Sequence, residues 1–304
     1  MVRQRRILPL VAVLSLLAAG CGQLERVSGL STAAGNPLPA TAFALSLAAD
    51  SIYLVDPATG RLDAVATGLR DPRAGGASWS PRHRSLAYGN AGVVVFDPST
   101  DETHTLVTGQ GTSTPAWNGK GKVIAYGDGI HLWITSVSNP SPTAITLPDT
   151  LAPSAIAWLG GPEILFAGVA LDCANAEGCL ATGASDLWTV RPDGTELTEI
   201  TSTGDASSPK WSPGGKQILY IRSNGKKGFG SQLWMSNPDG TSPHQLTDWK
   251  NVVAADWSSD GSQLVALRQP SGTDTLEFWV GASDGTGMTM VGTTIATGTA
   301  SVDW

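Results

Sequence analysis

The sequence predicts an all-β chain folded as a six-bladed β-propeller, with four antiparallel strands in each blade. Three observations predict it. Tryptophan recurs at Trp79, Trp117, Trp158, Trp211, Trp257 and Trp304, with spacings of 38, 41, 53, 46 and 47 residues. A period of ~40–50 residues carrying four strands per unit marks propeller blades. After each of the first five tryptophans comes a polar turn and then a short apolar strand. The 36 Gly and 19 Pro, with few segments of helical period, favour many short strands joined by turns.

The clearest unit is 209–247. A short strand ends on Trp211, and Ser212-Pro213-Gly214-Gly215 turns the chain. Residues 216–221 alternate as a second strand and 233–236 form a third. Pro238-Asp239-Gly240 turns again, and 244–247 begin a fourth. The same order predicts second strands over 85–88, 123–126, 163–166, 217–221 and 263–267. Third strands follow over 93–96, 130–134, 187–190, 233–236 and 276–280. At the ends, 43–47, 52–56 and 61–67 match strands two, three and four of a blade without its first. Residues 299–304 are a first strand with Trp and nothing after it. Joined in one sheet they complete the sixth blade and leave no open edge between the two ends.

Residues 1–20 read as a secretory leader. Arg3, Arg5 and Arg6 form a basic start, and 7–19 are apolar apart from Pro9 and Ser15. That stretch is shorter than the ~20 residues a spanning helix needs. Ala18-Ala19-Gly20 before Cys21 resembles the bacterial lipobox, with Leu17 one position further from the Cys than in the commonest pattern. The resemblance implies cleavage before Cys21 and lipidation of its thiol. Acyl chains bind a bilayer with ~0.8 kcal/mol per buried CH₂, so several would anchor the chain. Residues 21–42 then read as the lipidated Cys and a tether rich in Gly, Ser, Thr, Ala and Pro, spanning roughly 25 Å as a coil. The propeller takes 43–304.

Composition limits the function. The formal charge is −7, and loss of the three leader arginines leaves 16 basic against 26 acidic residues, or −10. An acidic chain is a poor partner for nucleic acid. The four histidines, His83, His104, His131 and His244, fall at unrelated repeat positions, and no Gly-x-Ser-x-Gly elbow occurs. The Asp-Gly pairs at 193–194, 239–240 and 284–285 read as hairpin turns rather than calcium loops. The residues just before the marker tryptophans face the propeller axis: Ser78, Ala116, Ala157, Lys210, Asp256 and Asp303. Two carboxylates and one Lys are thin for hydrolysis. The tryptophans themselves, at equivalent positions, read as packing between blades.

Variation collects in the connections from second to third strands. The longest are 168–185, 222–231 and 268–274, on the face shared with the fourth-to-first connections. Long loops on a rigid scaffold are where binding usually resides. Asp172, Lys226, Lys227, Phe229, Trp249 and Lys250 are therefore the candidate binding residues. Within the longest loop, Cys173 and Cys179 read as a disulfide in a secreted chain, worth roughly 2 kcal/mol for so short a ring. A metal site or a redox pair competes with that reading, but no His lies nearby and the spacing is not Cys-x-x-Cys.

Trp211-Ser212-Pro213 with Lys216, then Leu233-Trp234, Pro238-Asp239-Gly240-Thr241 and Leu246-Thr247, resemble the TolB-type propeller repeat. Residues 256–267 and 186–201 follow it closely, whereas Trp117-Asn118 and Trp158-Leu159 lack the Ser-Pro. The resemblance runs from 43 to 304 and implies the fold. TolB itself has an α/β domain before its propeller where this chain has a tether, so the chain is read as TolB-like and not as TolB. The expected function is a monomeric, membrane-anchored, extracytoplasmic scaffold that binds an envelope protein or cell-wall component. No cofactor, metal or catalysis is expected. The alternative is a propeller enzyme (a lyase, lactonase or glycan hydrolase) or a small-molecule sensor, with its site in the central channel.

Overall fold

The strands form six four-stranded antiparallel sheets among the residues described by this computed structural model, which are 41–47, 51–67, 76–100, 102–109, 114–174, 178–223, 230–295 and 300–304. The readings at the leader, Cys21, the tether up to residue 40, Lys226, Lys227 and Phe229 lie outside them. The first blade holds β1 (Phe43–Leu47), β2 (Ser51–Val55) and β3 (Leu62–Thr67), with β24 (Ala300–Asp303) as its innermost strand. The second is β4 (Ala77–Trp79), β5 (Leu86–Gly89), β6 (Gly92–Asp97) and β7 (Glu102–Thr108). The third is β8 (Ala116–Trp117), β9 (Val123–Gly127), β10 (Leu132–Ser136) and β11 (Thr143–Ile145). The fourth is β12 (Leu151–Ala157), β13 (Ile164–Asp172), β14 (Leu180–Val190) and β15 (Thr198–Glu199). The fifth is β16 (Ala206–Trp211), β17 (Ile218–Arg222), β18 (Gln232–Ser236) and β19 (His244–Gln245). The sixth is β20 (Val252–Trp257), β21 (Gln263–Arg268), β22 (Thr275–Ala282) and β23 (Thr289–Ile295).

The expected closure is present. β24 pairs with β1 in the register Ala44↔Asp303, Leu45↔Val302, Ser46↔Ser301 and Leu47↔Ala300. Trp304 Nε1 donates to the Thr41 carbonyl at 2.6 Å, and the Trp304 and Phe43 rings meet edge-on at 6.1 Å. The two ends of the described chain are thus stitched on one face of the ring.

Alternation along a strand explains the core. Successive side chains point to opposite faces, and a blade is covered on both. Ile164 and Phe166 of β13 pack with Ala116 and Leu132 of the third blade. Leu165 and Ala167, their neighbours in sequence, pack with Ile218 and Tyr220 of the fifth. The hydrophobic core is accordingly six clusters, one in each gap between blades, rather than one central mass. All six marker tryptophans are buried in or beside these gaps. Several also bridge blades. Trp117 Nε1 donates to the Ser78 carbonyl of the second blade at 2.9 Å, and Trp211 Nε1 to the Glu163 carbonyl of the fourth at 3.3 Å.

The repeat motifs are turn chemistry. Ser80, Ser212 and Ser258 each use the hydroxyl oxygen to accept the amide of Ser85, Gln217 and Gln263, closing the turn after the tryptophan. Asn118 does the same with its side-chain carbonyl in the third blade. At the outer turns Asp193, Asp239 and Asp284 accept the amide and hydroxyl of the Thr two residues on, an Asx turn. Gly240, at φ +78°, allows that turn to lie against the preceding blade, where a Cβ would collide with the Ile200 carbonyl.

Two boundaries depart from the sequence reading. The connection 168–185 is not a loop throughout. β13 and β14 continue as a hairpin beyond the blade, pairing Leu171↔Ala181 and Asp172↔Leu180 after a bulge at Val169. Its Gly, Ser and Thr have low strand contrast, so only pairing reveals it. In the third blade, Ile130 belongs to the turn before β10 and is 62% exposed, because Asp128 caps that turn by accepting the Ile130 and His131 amides.

Candidate functional site

The first strands end on the tryptophans, so the residue before each marker lines the axis. Three of these six positions are ionisable, and the fold brings them together. Lys210 Nζ lies 2.7 Å from Asp256 Oδ2 and 2.6 Å from Asp303 Oδ1. Asp256 also accepts the Trp304 amide at 3.2 Å and the Trp257 amide at 2.8 Å, and Asp303 accepts the Trp79 amide at 2.7 Å. One charged knot therefore joins the fifth, sixth, first and second blades. Their positions before the marker tryptophans are visible in the sequence, whereas their bonding arises only when the ring closes.

The knot is largely out of water. Side-chain exposures are 20% for Lys210, 10% for Asp256 and 13% for Asp303. Burial drives the Asp256 carboxyl up to about 7, against the pull of Lys210 and with the like charge of Asp303 adding to the push. Burial also disfavours the Lys210 ammonium, yet the two carboxylates more than offset it and hold its pKa above the ordinary value.

Above the knot lies a cavity of about 330 Å³, opening on the face of the Ser-Pro turns. Trp117, Trp158, Trp211, Trp257 and Trp304 contribute to its wall, and Lys210, Asp256 and Asp303 reach it. An apolar pocket with a few convergent polar groups is the usual form of a small-ligand site.

The loop-face candidates lie on the opposite face. Cys173 and Cys179 are joined by a disulfide at the base of the β13–β14 tip. Asp172, exposed, ends β13 and accepts the Ala174 amide at 3.0 Å. Trp249 and Lys250 sit between the fifth and sixth blades. Trp249 is half-buried, with Trp279 against one side at 5.4 Å and the Arg268 guanidinium at 5.7 Å from its ring centre. Arg268 in turn donates to the Lys250 carbonyl at 3.1 Å and pairs with Glu277 at 3.2 Å. The two groups of candidates thus share a face but sit on connections of different blades.

This geometry defines a six-bladed β-propeller. The sequence matches no protein-family profile and no curated protein. In fold it is similar to TolB from Acinetobacter baumannii, with a TM-score of 0.66 at 14% identity, over 86% of this chain and 65% of that one. The chain therefore spans 65% of that protein's length. It is also similar to a putative TolB from Agrobacterium tumefaciens (TM-score 0.61, 15% identity, 84% of this chain and 89% of that one). An oligogalacturonate lyase in complex with manganese shares the fold at TM-score 0.52 and 14% identity, over 79% of this chain and 69% of that one.

Proposed function

We propose that the protein is an extracytoplasmic lipoprotein, anchored through Cys21, whose propeller is a non-enzymatic scaffold for an envelope protein or cell-wall component. The observation that carries the binding role is the β13–β14 hairpin. It projects beyond its blade, the disulfide holds its tip, and Leu180 stands 66% exposed at its end. A stiff, projecting, partly apolar element loses little entropy on docking. Placing a photo-crosslinking residue at Leu180 in cells should yield a discrete adduct, and the same residue at the outer-strand position Met290 should not. Equal labelling at both positions would remove the support. Release of the Cys21→Ser chain from membranes tests the anchor separately.

The axial cavity favours a second reading, a small-molecule sensor or an enzyme such as a lyase, lactonase or glycan hydrolase. One of the chains similar in fold is a lyase. Against turnover, each ionisable axial group is engaged by another in the knot. Thermal-shift titration with sugars and lactones, repeated on Lys210→Met, separates the readings.

A further inference from the structure

The cations of this acidic chain are unevenly paired. Arg61, Arg191, Lys210, Arg222 and Arg268 each meet a carboxylate. Arg82, Arg84, Lys120 and Lys122 meet none among the described residues. All four are exposed and line one groove of about 570 Å³. It lies between the turns 80–85 and 118–123 of the second and third blades and opens into the axial cavity, sharing Pro81, Arg82 and Trp117 with it. Four uncompensated charges in one groove are an electrostatic feature in their own right.

Two further observations select the partner. The bond from Trp304 Nε1 to Thr41 places the start of the first blade on this same face, and Ala42 packs against Trp79 and Leu86 of the second blade, whose turn forms one wall of the groove. The face is also asymmetric. Five blades carry an aspartate in the outer turn, at Asp56, Asp97, Asp193, Asp239 and Asp284, and the third carries none over 137–142. Hydroxyls and amides hold Asp97, Asp193, Asp239 and Asp284 below the usual carboxylate range, so they stay charged. The rim thus presents a charged aspartate at every blade but the third, where two of the groove cations stand.

Building on the anchored reading, we propose that Arg82, Arg84, Lys120 and Lys122 dock the anionic headgroups of the membrane that holds Cys21. The propeller then tilts its second and third blades onto the bilayer, with the channel mouth inward and the disulfide hairpin outward. Arginine pairs bidentately with a phosphodiester and lysine as a point charge. Contact must be close, since screening acts beyond about 8 Å at physiological salt.

The test uses residues 22–304 without leader or acyl chain, so it does not depend on Cys21. Every described strand lies within 43–303, and circular dichroism verifies the fold. Sedimentation with phosphatidylcholine vesicles is compared with phosphatidylcholine–phosphatidylglycerol vesicles. Binding is expected only to the mixed vesicles and should weaken with salt. Each Gln substitution in the groove should lower partitioning roughly five-fold, and all four together several hundred-fold, while Arg191→Gln leaves it unchanged. Three results would overturn the proposal. One is no binding by the folded chain, and another is full binding by the quadruple variant. The third is groove-dependent binding of polyglutamate without vesicle binding, which would assign the groove to an acidic protein segment.

Discussion

Lys210→Met tests whether the axial knot holds the ring together. The change keeps the side-chain volume and removes the cation between Asp256 and Asp303. Removing one partner of a buried pair typically costs ~3–5 kcal/mol, because a charge is left uncompensated. With side chains 10–20% exposed, water still relieves part of this, so about 3 kcal/mol is expected at about pH 8. That corresponds to a fall in Tm of about 6–12 °C for a domain of this size. The loss depends on pH. Asp256 has a raised folded pKa, so the folded state holds its proton where the unfolded chain, at ~3.9, has lost it. Stability from this group is therefore greatest at low pH and declines as pH rises from ~4 towards 7. Lys210 is also raised. Its contribution is complete below its ordinary value of 10.5 and is lost only as pH climbs through the folded value. Near pH 5, with Asp256 protonated, Lys210→Met forfeits only the attraction to Asp303. At about pH 8 it forfeits both. Urea titrations at the two pH values should show the larger loss at the higher one, and Asp256→Asn in the Lys210→Met background should return roughly 1–2 kcal/mol there. A loss under ~1 kcal/mol at pH 8, or equal losses at both, would refute the reasoning.

Two further outcomes follow from the closure and the hairpin. Deleting 300–304 removes the strand paired to β1, the buried Val302 and Trp304, and Asp303 of the knot. Two such side chains alone bury ~3–6 kcal/mol, so thermal unfolding should lose cooperativity and protease should cut within the first blade; a Tm within two or three degrees of the parent would contradict this. Replacing Cys173 and Cys179 by Ser opens a ring of sequence separation 6 and should cost about 2 kcal/mol locally. Hydrogen exchange should then quicken over 169–182 with little change elsewhere, whereas global destabilisation would contradict a local clamp.

The propeller was legible in the sequence because each blade repeats the same local chemistry. Trp-Ser-Pro encodes a turn that Ser80 and Ser212 close with their hydroxyls, and Asp-Gly-Thr encodes an Asx turn with glycine at positive φ. Such signals act over five residues and survive divergence in the strands. The closing blade was readable because its missing first strand stood at the far end of the chain. Contacts between repeats left no such trace. Lys210 and Asp303 are 93 positions apart, and the four groove cations come from two turns whose tips look like ordinary polar turns. The hairpin beyond the fourth blade escaped for another reason. Gly183, Ala184 and Ser185 have little intrinsic preference for a strand; Gly183 and Ala184 lie in the irregularity between the pairs Val169↔Ser185 and Leu171↔Ala181, and the disulfide closes the hairpin beyond them.

The two faces of the ring divide the work physically. On one, the axial charges are bonded to each other and hold four blades together, so they are poorly placed to leave that role without weakening the closure. The same face carries the start of the described chain at Thr41 and the groove cations. On the other, β13 and β14 reach away from the blade with an exposed leucine at the tip. A partner engaged there and a bilayer engaged at the groove would touch opposite ends of the inner strands. Neither would have to displace the other, and the rigid gaps between blades, each filled by its own core cluster, would keep their separation constant.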